Sequence, residues 1–363
     1  SMSVEDLARP EIVAMKPYSS ARREAPARGV LLNANEAPCS LLDSAPGLNR
    51  YPDPQPAELL DRLAELYGVG QDRLLVTRGS DEGIDLLTRV FCRAGLDAIL
   101  QCPPAFGMYR IAAQTLGADV VSVPRRGEDF ALDQAGVLNA LTADSRIRLV
   151  FLTSPSNPTG DVLDPGFVDA VLKAARGRAL VIVDEAYAEF CAQPSHIPMI
   201  ETHEHLVVLR TLSKAWAAAG LRCGSVIASP GVIGLLQRVI APYPLPSPVV
   251  ALALEALQGD PARRQRELLA QVQANKTRLL ALLEGRPFVR RILPGEANFV
   301  LVRVDDASGL LAYCAQDGVI LRGFPTDPAL RDCLRISVGT QEELERLGAV
   351  LDRWEHSRGD ASQ

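Results

Sequence analysis

From about residue 55 to residue 230 the chain alternates short apolar runs with longer amphipathic stretches, and this constrains the fold more than any other feature. The runs at 73–77, 98–101, 119–123, 148–152, 180–183, 206–209 and 225–228 have the length and apolar content of buried strands. Between them apolar residues recur at helical spacing, as in Ile84, Leu87, Val90 and Phe91, or Phe167, Val168, Val171 and Leu172. Strand and helix in alternation predict an α/β fold with a mostly parallel, seven-stranded sheet between helices. Ligands of such sheets bind at the carboxyl ends of the strands, so residues just after each run carry the most functional weight.

At 363 residues the chain is too long for one compact core. A proline-rich break at 241–248 is followed by a stretch of good helix formers from 249 to 284, then by short strands at 299–304 and 334–338. The expected division is an N-terminal arm at 1–44, shared between the smaller unit and a dimer contact, a large domain at 45–255, and a small α+β domain at 256–363. A net charge of −6 argues against a nucleic-acid surface. No apolar stretch reaches the roughly 18 residues that span a bilayer, and the first residues carry no signal pattern. Seven dispersed cysteines, with no Cys-x-x-Cys pair, point to reduced thiols in a cytoplasm-like compartment. No metal set is expected: His203 and His205 alternate in strand register with no third ligand and read as solvated surface.

Thr211-Leu212-Ser213-Lys214-Ala215-Trp216 follows the run at 206–209, with Gly220-Leu221-Arg222 close behind. A lysine at a strand end is either a surface charge or an amine held for Schiff-base chemistry, for which pyridoxal phosphate is the commonest carbonyl cofactor. Asp184 and Tyr187 end another run thirty residues upstream. A carboxylate there can pair with a protonated pyridine nitrogen and keep it cationic. An aspartate capping a turn and a packed tyrosine would explain the same residues, and Lys214 tips the balance. In Ser154-Pro155-Ser156-Asn157-Pro158-Thr159-Gly160 the prolines stiffen the loop and make Asn157 a fixed donor. Ser80, Asp81 and Glu82 open a helix whose N-terminus suits a phosphate, although an N-cap with an acidic first turn accounts for them equally well. Tyr109 offers a ring to stack on a planar cofactor, or simply a core aromatic.

These motifs, taken in order with Arg335 near the end, resemble the fold-type-I pyridoxal-phosphate enzymes of aminotransferase class I/II. Leu32-Asn33-Ala34-Asn35-Glu36, Arg50-Tyr51-Pro52, Cys102 to Tyr109, Leu212 to Trp216, Ala219 to Gly224, Ile240 to Leu245 and Cys333 to Thr340 together resemble the histidinol-phosphate aminotransferase family, from about residue 15 to 354. The resemblance implies that Lys214 forms the Schiff base with pyridoxal 5'-phosphate and shuttles the proton. It implies that Asp184 holds the pyridine nitrogen, Asn157 and Tyr187 bond the phenolic oxygen, and Tyr109 covers the ring. Ser80, Asp81 and Glu82 would give backbone donors, and Ser213 and Arg222 side-chain donors, to the cofactor phosphate. Arg335, with Arg322 as second arginine, would bind the phosphate of L-histidinol phosphate or a carboxylate of L-glutamate and 2-oxoglutarate. Tyr18 and Tyr51 would reach the neighbouring subunit's cofactor and substrate in a homodimer, with Asn33 also at the substrate. The second asparagine usual in the family's 156 region is Ser156 here, and 323–327 follows no pattern we recognise, which leaves fine substrate preference open.

The implied reaction is a transamination in L-histidine biosynthesis. Alternatives on the same fold are a lyase resembling threonine-phosphate decarboxylase, an aminotransferase broadened to aromatic amino acids, and a non-catalytic pyridoxal-phosphate-binding regulator. The arm motif and the Cys102 to Tyr109 segment favour the first reading.

Overall fold

The computed structural model describes residues 3–21 and 28–361; positions 22–27 of the expected arm lie outside the described residues. Seven strands form the larger sheet: β1 (Leu74–Thr77), β2 (Ala98–Gln101), β3 (Asp119–Ser122), β4 (Ile147–Thr153), β5 (Leu180–Asp184), β6 (Leu206–Thr211) and β7 (Gly224–Ile227). Their order across the sheet is β1-β7-β6-β5-β4-β2-β3. The five strands from β6 to β3 run parallel, and β7 lies antiparallel between β6 and β1. The parallel interior strands are buried on both faces, which is why they read as unbroken apolar runs.

Helices Ala57–Tyr67 and Pro165–Ala175 cover one face, helices Gly79–Phe91, Met108–Leu116 and Pro230–Gln237 the other. The first residues depart from expectation. Val4, Leu7, Ala8 and Ile12 complete the second of these layers rather than the smaller unit. The Arg9 N–H donates to the Val90 carbonyl at 2.9 Å, and the Arg238 guanidinium to the Val13 carbonyl at 2.7 Å. An apolar face beside an exposed helix pair outweighs sequence remoteness.

The smaller sheet contains β8 (Val289–Leu293), β9 (Phe299–Val304), β10 (Arg322–Gly323) and β11 (Cys333–Ser337), antiparallel throughout in the order β10-β11-β9-β8. The sequence reading anticipates β9 and β11 but not β8, whose two central arginines mask its alternation, nor β10, which is too short for any periodicity. The helical stretch at 249–284 is two helices, Ser247–Ala256 and Pro261–Leu283. Gly259 takes a left-handed φ of 68°, and the Asp260 carboxylate accepts from the Arg263 N–H at 3.1 Å, a stop and a new start within two residues.

The two sheets meet at a glycine pair. A β-carbon on Gly295, whose φ is +55°, would stand 2.6 Å from the Gly160 α-carbon, and the Glu296 N–H donates to the Gly160 carbonyl at 2.7 Å. Lys276, buried in the long helix, fixes the same turn from behind: its amine donates to the carbonyls of Gly295 at 2.9 Å and Ala297 at 2.7 Å. Backbone pressed on backbone cannot yield as a flexible side chain can. Gly295→Ala is therefore expected to cost about 1–3 kcal/mol in a denaturant melt, while Gly234→Ala, where a β-carbon meets nothing, serves as the control. Equal losses in both would rule out the close approach as the cause.

Candidate active site

A cavity of about 620 Å³ opens at the carboxyl ends of β4, β5 and β6 and is closed from the other side by β10 and β11. Ser80, Asp81, Phe106, Asn157, Asp184, Tyr187, Ser213, Lys214, Arg222, Arg322 and Arg335 all line it. The chain thus brings together residues as far apart in sequence as Ser80 and Arg335.

Asp184 ends β5 and is 4% exposed. The Tyr109 hydroxyl donates to its Oδ2 at 2.6 Å and lies 2.7 Å from the Thr153 hydroxyl; the Ala186 N–H donates to Oδ1 at 3.1 Å. Burial pushes the Asp184 carboxyl up to about 6, against the pull of the Tyr109 and Ala186 donors. A buried carboxylate with this little compensation is a ready partner for a cation.

This arrangement corrects the expectation for Tyr109. Its ring is 1% exposed and stacks on Phe151, with centroids 4.5 Å apart, so it cannot cover a ligand in the cavity. Tyr109 lies in the first turn of helix Met108–Leu116, where its side chain points down onto the sheet. Phe106, three residues earlier and half-buried, lines the cavity instead. The two aromatics share one segment, and only the position of the helix start separates their roles.

Lys214 follows β6, and its Nζ lies 5.6 Å from the centre of the Tyr187 ring. Partial desolvation lowers the amine's pKa, with Arg335 and Arg222 adding repulsion. Tyr187 is buried against Phe299, and desolvation pushes its hydroxyl up to about 12. Beneath these groups the Glu185 carboxylate is fully enclosed and accepts from Ser195, from the His196 N–H and, at 3.4 Å, from Arg210 on β6. This ties the strand before Lys214 to the strand carrying Asp184. Sequence reasoning misses it: Glu185 lies in the 181–187 segment that carries Asp184 and Tyr187, but nothing in the sequence points to His196 and Arg210 as its partners.

At the other end of the cavity, helix Gly79–Phe91 presents its N-terminus. The Arg78 N–H is taken by the Glu82 carboxylate at 2.9 Å and the Gly79 N–H by the Arg222 carbonyl at 3.1 Å. With Arg78 as the N-cap, the Glu82 N–H enters the helix's own ladder, which leaves those of Ser80 and Asp81 facing the cavity. Glu82 is therefore not a donor here, and its side chain turns away. Arg222, in left-handed conformation, donates to the Asp81 carboxylate at 3.2 Å and the Ser213 hydroxyl at 3.3 Å, which removes the repulsion that Asp81 would offer an anion. Gly224 permits this crowding, since a β-carbon there would lie 2.4 Å from the Ser80 nitrogen.

Arg322 and Arg335 face each other across the β10–β11 pair. Arg335 donates to the Asn157 Oδ1 at 2.6 Å and lies over Phe299; Arg322 lies over Phe324. Three expected residues are elsewhere. Tyr18, 67% exposed, borders a separate hollow with Asp53 and Gln237. Tyr51 stacks on Tyr243 at 4.4 Å, and Asn33 donates to the Ala21 carbonyl at 3.1 Å. His205, read as surface, is buried with Nε2 2.7 Å from the Leu172 carbonyl, and burial lowers its pKa. Among the described residues no group of three or more potential ligands could hold a metal ion, and no helix is long and apolar enough to cross a membrane.

A lysine, a buried acid, an open helix N-terminus and two arginines in one cavity fit pyridoxal phosphate and, on this two-sheet fold, mark a pyridoxal-phosphate enzyme of fold type I. The model of the family "Aminotransferase class I and II" matches residues 18–351. Among curated proteins, the histidinol-phosphate aminotransferase of Cronobacter sakazakii is 44% identical over 95% of this chain and 96% of its own length. That of Escherichia coli O45:K1 is 42% identical over 96% and 97%. The crystal structure of the Sinorhizobium meliloti histidinol-phosphate aminotransferase in complex with pyridoxal-5'-phosphate superposes with a TM-score of 0.76, at 25% identity over 85% of this chain and 84% of that one. The chain belongs to the class I and II aminotransferases and, within them, to the histidinol-phosphate aminotransferase family.

The raised pKa of Asp184 gives the protein without cofactor a signature. Because the folded value of about 6 lies above the unfolded 3.8, the native state holds the extra proton between them. The stability contributed by this group is full below the lower value and is lost as pH rises through the upper one, by on the order of 3 kcal/mol. Urea melts of cofactor-free protein between pH 4 and 7 should show that fall, and Asp184→Asn should remove it. An unchanged fall in the variant would assign it to other groups.

Proposed function

We propose that the enzyme moves the amino group between L-histidinol phosphate and 2-oxoglutarate, giving imidazole-acetol phosphate and L-glutamate, as a step of L-histidine biosynthesis. The observation that carries this reading is the arginine pair Arg322 and Arg335, opposed in register and lining the cavity that holds Lys214. One substrate is a phosphate monoester without a carboxylate and the other a dicarboxylic acid. Planar guanidinium forks bind both kinds of oxyanion, so one site serves both half-reactions. Relatives that carry the name of this activity at 42–44% identity support the choice over a decarboxylase.

Pyridoxal phosphate held here would supply a carbonyl for Schiff-base chemistry with amines and an electron sink for the carbon that loses its proton. The residues of this chain do the rest. Ser80 and Asp81 offer backbone N–H groups, and Ser213 and Arg222 side-chain donors, to the phosphate. Asp184 would stabilise a positive charge at the ring nitrogen, Asn157 and Tyr187 would donate to the phenolic oxygen, and Phe106, which lines the cavity, would exclude water from one side. The lowered pKa of Lys214 leaves a larger fraction of neutral amine at pH 7 than an ordinary lysine has, able to accept a proton at Nζ and return it. Arg335, with Arg322, holds the far end of the substrate.

The same proposal includes a cytoplasmic homodimer in which Tyr18 and Tyr51, both outside their own chain's cavity, serve the neighbour's site. It also includes the division into a large domain at 45–255 and a small one at 256–363, with part of 1–44 reaching the partner.

Addition of L-histidinol phosphate to the holoenzyme without any oxoacid should convert the bound cofactor to its amine form, seen as a shift in its absorbance. A silent spectrum, with carbon dioxide released from L-threonine phosphate, would favour the lyase. Lys214→Ala should abolish turnover while still binding cofactor noncovalently; full turnover in the variant would refute the Schiff-base role. Arg335→Lys should raise KM for both amino donors by about tenfold or more, since a point charge cannot replace the fork. An effect on one donor alone would mean that the two anions use separate sites.

A further inference from the structure

We propose that Arg125 is a positioning residue that sets the aim of Asn157, acting from outside the cavity. The inference rests on the reading above, in which the Asn157 amide faces the cofactor's phenolic oxygen. Asn157 spends its Oδ1 on Arg335, and its NH2 group has no partner among the described residues. Where that NH2 points is decided by the loop at 154–161.

Arg125 follows β3, and its side chain is only 3% exposed. Nη1 donates to the Asp161 carboxylate at 2.8 Å and to the Phe130 carbonyl at 3.0 Å; Nη2 donates to the Ser156 hydroxyl at 3.2 Å. Asn157 is thus bracketed by contacts of one guanidinium, at Ser156 immediately before it and Asp161 four residues after it. Asp161 draws the loop further together: its carboxylate accepts from Thr159 at 2.5 Å and its carbonyl from the Ser156 N–H at 2.8 Å. The third contact, Phe130, is plugged beneath the smaller sheet among Leu293, Leu301, Leu330 and Cys333. Arg125 therefore joins the underside of the sheet that carries Arg335 to the loop that carries Asn157.

Its Nε is buried with no hydrogen-bond partner among the described residues, so the fork alone makes the polar contacts. An apolar side chain of similar length could fill the space but could not hold Ser156 and Asp161 at fixed angles. The planar fork can.

A double-mutant cycle on the holoenzyme tests this, read by the pH midpoint of the bound cofactor's absorbance change and by its dissociation constant. Asn157→Ala should move the midpoint by roughly half a pH unit or more, a threefold change in proton affinity. Arg125→Met should move it in the same direction, and the double variant no further than Asn157→Ala alone. If Arg125→Met yields no folded protein, Asp161→Asn is read in the same way. A lowered melting temperature with the midpoint unmoved, or additive shifts in the double variant, would overturn the proposal. If Asn157→Ala itself leaves the midpoint in place, the underlying reading of Asn157 falls and the proposal with it.

Discussion

The buried carboxylate at the end of β5 is the constraint on which the rest of the site depends. Removing a charge from water is tolerable only with compensation, and here the protein supplies part of it: one phenol and one backbone N–H. The phenol must reach from helix Met108–Leu116, so the helix start, the Tyr109–Phe151 stack and the Thr153 hydroxyl are all fixed by the same need. What remains uncompensated is the asset. A cation placed beside this aspartate, as the proposed function places a ring nitrogen, would gain more than beside an exposed one, because interaction strength grows as the surroundings lose polarity.

Much of this was legible in the sequence because the sheet is buried on both faces. Parallel strands then announce themselves as apolar runs, and their carboxyl ends locate the site by topology alone, which is how Lys214, Asp184 and Asn157 could be singled out. Helix faces were harder. Tyr109 and Phe106 are three residues apart, both aromatic, and choosing between them requires knowing where the helix begins. The donors at 80–82 show the same limit. Only the observed N-cap at Arg78 reveals that the Glu82 N–H is already used. The supporting groups Glu185, Arg210 and Arg125 were out of reach, since each is defined by partners on other elements that no local spacing announces.

The acidic residues around the helix N-terminus show how local charges are managed. Asp81 and Glu82 would each repel a phosphate. Glu82 is turned back on the Arg78 N–H and Asp81 is paired with Arg222, so the helix keeps its favourable first-turn acids while its open N–H groups still face the cavity. One arginine thereby answers two demands, neutralising an acid and offering its remaining donors to the same small volume.

The opposed arginines on β10 and β11 present the reverse case. Like charges directly across a strand pair destabilise a sheet; the Arg335 pKa is lowered by desolvation first, with Tyr187 opposing and Arg322 adding a smaller push in the same direction. Each guanidinium is held over an aromatic ring, and Arg335 has Asn157 as well, but neither has a carboxylate partner among the described residues. A fold selected only for stability would place an acid here. The pair has no acid partner here, and under the proposed function the phosphate or carboxylate of the substrate would take that role. On that proposal a substrate lacking the distal anion would forgo its own ionic contact and also leave the repulsion between the two guanidinium groups in place.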